Sequence, residues 1–224
     1  MFVTILFLLL LGGAEAAFGQ KTDTENINVA ISRSKKAAEI IKVVMSLPDG
    51  KGIPKDVTEQ AKMIGVVPSA FELSLAVIHA VRGHGVFSVR RESGWTLPAF
   101  YFYGGTGGPS KPGTKNFDII FVVVDAKLNG DKTNKPKSDD KKKVDKSKLF
   151  LYTFADGELA PMKAVETRSF FIKSPNAKYD DSLNKLVYGS KGEDIASGKA
   201  SNPKLTSPDV AAFRDALTEL YPQK

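Results

Sequence analysis

The chain carries two histidines, His79 and His84, and no cysteine. Imidazole is the side chain best suited to moving protons near neutral pH, so these two positions come first. His84 stands in Arg82-Gly83-His84-Gly85. Glycine on both sides reads as a tight turn that leaves the ring exposed and incidental. His79 falls on the apolar side of its stretch, which predicts a hydrogen-bonded core residue rather than a ligand. The sequence holds no G-x-S-x-G elbow, no H-E-x-x-H and no acidic cluster with calcium-loop spacing. Gly104-Gly105-Thr106-Gly107-Gly108-Pro109-Ser110-Lys111 has the glycine content of a phosphate cradle. A phosphate loop needs Ser or Thr after the lysine and then a helix, whereas Pro112-Gly113 and a strand pattern follow here. Without cysteine there is no disulfide, thiolate metal site, thiol nucleophile or lipoprotein acylation site. No catalytic residue, no metal site and no small-molecule cofactor is expected, and the chain is read as a non-enzyme.

Charge is the stronger signal. There are 32 Lys and Arg against 25 Asp and Glu in 224 residues, a formal balance of +7. Residues 131–148 hold eight Lys and four Asp with almost nothing apolar, which reads as a solvated, lysine-rich loop insertion. Stacking aromatics do not accompany those lysines, so nucleic acid is not an expected partner. At the front, Phe2 to Leu11 is a short apolar run followed by small residues. It is about half of the ~20 residues that a membrane span needs, and residues 1–19 read as a secretory signal peptide, with an uncleaved anchor as the alternative because no Lys or Arg precedes the run. A secreted or periplasmic protein of this charge is drawn to anionic surfaces.

The elements that would position such charges begin with Asn28 to Met45. At about 100° per residue, Ala30, Ala37, Ala38, Ile40, Ile41, Val44 and Met45 share one face of a helix. Lys35 and Lys42 border one edge, Arg33 and Lys36 the other, and Glu39 points away. Such a helix either docks on its own domain or lies in a bilayer interface with its lysines toward phosphates. Both surroundings bury the same apolar area, so area does not choose between them.

Pro48-Asp49-Gly50-Lys51-Gly52 ends that helix. Ile53-Pro54 opens a second one, running through Val57, Ala61 and Lys62. Met63 to Val67 predicts a buried strand ended by Pro68. Phe71 to Val81 alternates as a strand, turns at Arg82 to Gly85 and returns as Val86 to Arg91 in a hairpin. Ser93-Gly94 turns again before Trp95 to Tyr103, and the glycine-rich stretch reads as a loop. Asn116 to Val124 is a buried strand. Leu149 to Phe154 and Ser169 to Lys173 read as strands near an Asp156-Gly157 turn, and Asn184 to Gly198 is mixed. Ser207 caps a last helix that Pro208 starts, with Val210, Phe213, Leu217 and Leu220 as its apolar stripe.

In this order the motifs resemble the SYLF domain family, lipid-binding modules of yeast actin-patch proteins, their animal relatives and secreted bacterial proteins. The likeness runs from Ser32 to Tyr221. It rests on Ser34-Lys35-Lys36-Ala37-Ala38 with Ile40-Ile41, then Ile53-Pro54, and Ala61-Lys62-Met63-Ile64-Gly65-Val66-Val67-Pro68. It continues with Gly83, Gly85-Val86, Arg90, Gly94-Trp95, Pro98-Ala99-Phe100, Asp118-Ile119-Ile120, Tyr152, Gly157, Tyr188-Gly189, Ile195 and Gly198. The resemblance implies a module, residues 28–222, that binds acidic phospholipids by inserting its leading helix. Carried over, Lys35, Lys36, Ile40 and Ile41 are the lipid-binding positions, and the helical wheel adds Arg33, Lys42 and Val44. Gly83, Gly85, Trp95 and Pro98 are then fold determinants. The lysine-rich insertion stands where the family has a glycine- and proline-containing loop. Pro109 and Pro112 interrupt the stretch after Phe100, and actin binding does not carry over to an exported chain.

The fold expected is α+β: a mostly antiparallel sheet that could curl into a barrel, with an N-terminal amphipathic helix and a C-terminal helix. The function expected is binding to an anionic phospholipid membrane, peripherally. The alternative is a structural envelope protein that binds an acidic polymer through its lysine-rich loop.

Overall fold

The computed structural model describes residues 22–75, 79–107, 111–124, 148–162, 177–200 and 207–222. The expected leader at residues 1–19, the lysine-rich stretch up to residue 147 and the expected strand at 169–173 lie outside them.

The leading helix, α1 (Asp23–Met45), starts five residues before the expected Asn28 because Thr22 and Glu25 form a capping box. The Thr22 hydroxyl accepts from the Glu25 N–H, and the Glu25 carboxylate accepts from the Thr22 N–H at 2.7 Å. The second helix, α2 (Lys55–Glu59), stops short of Ala61 and Lys62, because Ala61 already pairs with Val124 in the sheet.

Strand β1 (Ala61–Ser74) is far longer than the expected Met63–Val67. Pro68 does not end it. Pro68 and Ser69 instead form a bulge, one extra residue on β1 against both neighbouring strands. A bulge is where a strand tolerates proline, since the ladder hydrogen bond is already missing there. The expected turn at Arg82 to Gly85 is also corrected: these residues lie inside β2 (His79–Arg91), and the chain reverses between Ser74 and His79. Gly83 and Gly85 are sites of close approach. A Cβ on Gly83 would lie 2.3 Å from Val67 Cγ1, and one on Gly85 2.5 Å from Tyr101 Cε1.

Next come β3 (Gly94–Trp95), β4 (Ala99–Gly107), β5 (Gly113–Val124), β6 (Lys148–Ala155), β7 (Glu158–Pro161) and β8 (Ala177–Tyr179). Gly104 to Gly107 therefore continue β4, not a loop. The pairs are antiparallel in the order β7-β6-β5-β1-β2-β4-β8, with β3 beside β2. Among the described residues no pairing joins β7 to β8, so the sheet is open and not a barrel. The α+β class stands.

Helices α3 (Asp181–Tyr188) and α4 (Gly192–Ser197) occupy the stretch read as mixed. Ser207 caps a 3₁₀ turn, Pro208–Ala211, which leads into α5 (Ala212–Leu220). Val210, Phe213 and Leu217 are buried as expected of the stripe.

Alternation gives the sheet two faces. Toward α1 lie Ile64, Val66, Val86, Ser88, Phe100, Ile120 and Val122, all buried. On the other face Phe87, Tyr101 and Phe121 meet edge to face or tilted, with Phe87–Tyr101 centroids at 5.6 Å and Tyr101–Phe121 at 5.8 Å. Trp95 is buried between the Arg90 guanidinium and Tyr221, and Pro98 is buried beside β4. Asn184 of α3, wholly buried, accepts from the Phe100 N–H and donates to the Phe100 carbonyl, both at 2.9 Å. The Phe100 carbonyl also accepts from the Asp180 N–H at 3.0 Å, just beyond β8, so Asn184 completes the bonding of β4 at Phe100 where its partner strand ends.

All six tyrosines are held above the ordinary phenol range, with burial as the first cause at each. Tyr179 is pushed up to about 12, helped by the nearby Glu193 and Asp181. The folded chain thus keeps protons that the unfolded chain releases near pH 10. Stability is whole below that value and falls as pH climbs from about 10 toward 12. Tyrosinate absorbance and near-ultraviolet circular dichroism, followed together, are expected to change in one step above about pH 10. Ordinary phenol titration in an intact fold would contradict this.

Candidate functional site

The seven residues expected to meet lipid divide sharply in the structure. Ile40, Ile41 and Val44 are 4%, 0% and 0% exposed, sealed in the core with Ala30, Ala37 and Ala38. The helical wheel named the right face, but α5 and the sheet cover it. Buried side chains of this kind contribute roughly 1.5–3 kcal/mol each. A bilayer would have to repay that and also the apolar surface bared on α5 and the sheet. The expectation that Ile40, Ile41 and Val44 insert is therefore corrected: in this packing they hold α1 to its own domain.

The cations of α1 are partly spent in the same docking. Lys35 pairs with Asp209 at 2.8 Å and Lys42 with Glu219, both across to the C-terminal helical segment. Ser34, wholly buried, accepts from the Phe213 N–H at 3.1 Å, which satisfies a donor near the start of α5. Arg33 is nine-tenths buried, its Nη1 3.7 Å from Asp180 Oδ2 and its guanidinium 5.7 Å from the Phe100 ring centroid. Burial lowers the Arg33 pKa and Asp180 opposes that fall. Guanidinium remains charged at any ordinary pH. Among the described residues Lys36 pairs only with Glu39 of its own helix, at 3.9 Å, and it stays half-exposed.

Arg33 and Lys36 do meet a site, and it lies on the sheet. Where the face under α1 runs out beyond the N-terminal half of the helix, a groove of about 1090 Å³ opens. Two rows of cross-strand neighbours form its floor. One row is Lys178, Phe102 and His84 across β8, β4 and β2; the other is Gly104, Arg82 and Phe71 across β4, β2 and β1. Phe71 and Phe102 are 44% and 40% exposed. The His84 ring meets Phe102 edge-on at 4.6 Å, so His84 is part of that floor and not a turn residue. The bulge closes one side. Ser69, with φ of 50°, holds a left-handed conformation that serine rarely adopts, and its N–H donates to Asp118 Oδ1 at 2.8 Å.

The lining includes four cationic side chains, Arg33, Lys36, Arg82 and Lys178, and among the described residues no carboxylate. Arg82 and Lys178 make no ion pair with a described residue. No family model, curated protein or solved structure matches the chain.

Chemically, the groove is a cationic trough with an aromatic floor, suited to an anion attached to something apolar. His79, the other histidine, sits elsewhere, half-buried beside Ser74 and Glu72, with its Nδ1 3.1 Å from Ser74 Oγ. Among the described residues no helix is long and apolar enough to cross a membrane. Sequence reasoning missed Phe71, Arg82, Phe102 and Lys178 as one site. The alternation of Phe71, Leu73 and Leu75 was visible, but nothing local tells an exposed apolar strand face from a buried one.

Proposed function

We propose that this protein is a non-enzymatic, peripheral binder of acidic phospholipids at a membrane surface, a member of the SYLF family in a secreted or periplasmic setting. The observation that carries the reading is the groove: four cations and exposed Phe71 and Phe102 on one surface, with no carboxylate among its described lining residues. Each lysine or arginine near an anionic leaflet contributes about 1 kcal/mol, and apolar side chains at the boundary add to it. The motif order supports the family, and the surplus of positive charge supports an anionic partner. The leading helix serves as the back wall of the site and contributes Lys36 and Arg33, while its oily stripe stays inside.

The experiment is flotation of the full chain with liposomes of graded anionic content. Binding is expected to rise with anionic fraction and to fall with added salt, as screening within ~8–10 Å dictates. Absence of binding at every composition and every salt concentration removes the proposal.

A further inference from the structure

We infer that the membrane contact is an insertion by the sheet, made by Phe71, Leu73 and Leu75 at the end of β1 together with Phe102, while α1 remains docked. This rests on the acidic-phospholipid reading and adds to it which atoms enter the bilayer. Five large apolar side chains are exposed among the described residues: Val43, Phe71, Leu73, Leu75 and Phe102. Only Val43 belongs to α1; the other four belong to this end of the sheet. Phe71 and Leu73 share a face of β1 by their spacing of two, and Leu75 follows directly after the strand. Their exposures of 44%, 38% and 47% leave much apolar area uncovered.

Charge selects the partner. Arg82 is the cross-strand neighbour of Phe71, and Lys178 that of Phe102, so each exposed ring has a cation beside it on the same face. The nearest acid in sequence, Glu72, alternates to the opposite face, where it meets Ser74 Oγ at 3.1 Å and His79 at 3.6 Å. Apolar groups bordered by cations, with Glu72 turned away and Asp118 on this face engaged by the Ser69 N–H, match an anionic lipid leaflet: rings and leucines reach the acyl boundary while Arg82, Lys178 and Lys36 stay among phosphates.

The absence of cysteine makes the test clean. Single variants Leu73→Cys and Val43→Cys, each labelled with an environment-sensitive fluorophore, are mixed with anionic vesicles carrying spin-labelled lipids. The label at position 73 is expected to shift to the blue and to be quenched; the label at position 43 is expected to do neither. As a label-free check, Leu73→Asp with Leu75→Asp should weaken vesicle partitioning at least about tenfold, with circular dichroism and thermal unfolding unchanged. Quenching at position 43 but not 73, or undiminished partitioning of the doubly substituted chain, overturns the insertion while flotation of the native chain keeps the lipid reading. Failure of the native chain to float removes both.

Discussion

Replacing Arg82 and Lys178 together by glutamate is expected to weaken binding to anionic vesicles by roughly a thousandfold. Each reversal removes one positive charge and adds one negative, a change of four charges at the groove. At about 1 kcal/mol per charge near an acidic leaflet, the sum is about 4 kcal/mol, and each 1.4 kcal/mol is tenfold. Stability should scarcely move, because neither side chain forms an ion pair with a described residue. The informative control changes net charge equally: Lys35→Glu with Lys42→Glu. Those lysines already face Asp209 and Glu219, so reversal sets like charges against each other and loosens α1 from the C-terminal helical segment. Their loss of binding should stay within about tenfold, with a lowered unfolding temperature. Equal losses for the two pairs, measured by flotation at low salt, would mean that net charge or the helix does the binding. The groove would then lose its role.

The outcome for α1 explains how far a sequence can be read. Six of the seven residues expected on its apolar face are buried, because a helix repeats its geometry every few positions; Met45 is only partly covered, and the polar Ser34 is buried with them. What covers that face was not legible, since burial against α5 and burial in lipid ask for the same side chains. The contacts that decide it span long separations: Ser34 reaching Phe213, Lys35 reaching Asp209, Lys42 reaching Glu219. No local spacing announces such pairs. The same limit hid the groove, whose rows bring together Phe71, Arg82, Phe102 and Lys178 from four strands.

The strand boundaries failed for a different reason. Pro68 and the paired glycines are punctuation in most chains, so reading them as ends and turns follows ordinary statistics. Here Pro68 is absorbed by a bulge, whose extra residue lets β1 run on to Ser74 and carry Phe71 out beyond α1. The error and the site are linked. Had β1 ended at Val67, nothing would hold Phe71 beside Arg82, and the groove would lack half its floor.

Gly85→Ala is expected to destabilise the fold by about 3 kcal/mol, at the upper end of what overpacking a core usually does. The added methyl would lie 2.5 Å from Tyr101 Cε1, 2.6 Å from Tyr101 Cζ and 2.6 Å from the Val66 carbonyl oxygen. None of the three can step aside. Tyr101 is 2% exposed and wedged edge-to-face against Phe87 and Phe121, and Val66 belongs to a strand paired on both sides. Gly85 is not among the glycines with positive φ, so backbone strain plays no part and the penalty is one of volume. This separates the present role from a turn glycine, where the penalty would come from backbone strain and would not respond to neighbours. Shortening the opposing ring supplies the discriminating arm. Tyr101→Leu alone should destabilise by leaving a cavity, yet combined with Gly85→Ala the loss should be smaller than the sum by 1 kcal/mol or more, within the range for contacting residues. Urea unfolding of the four chains measures that coupling. Strict additivity would show that the two residues do not compete for space and that Gly85 is required for some other reason.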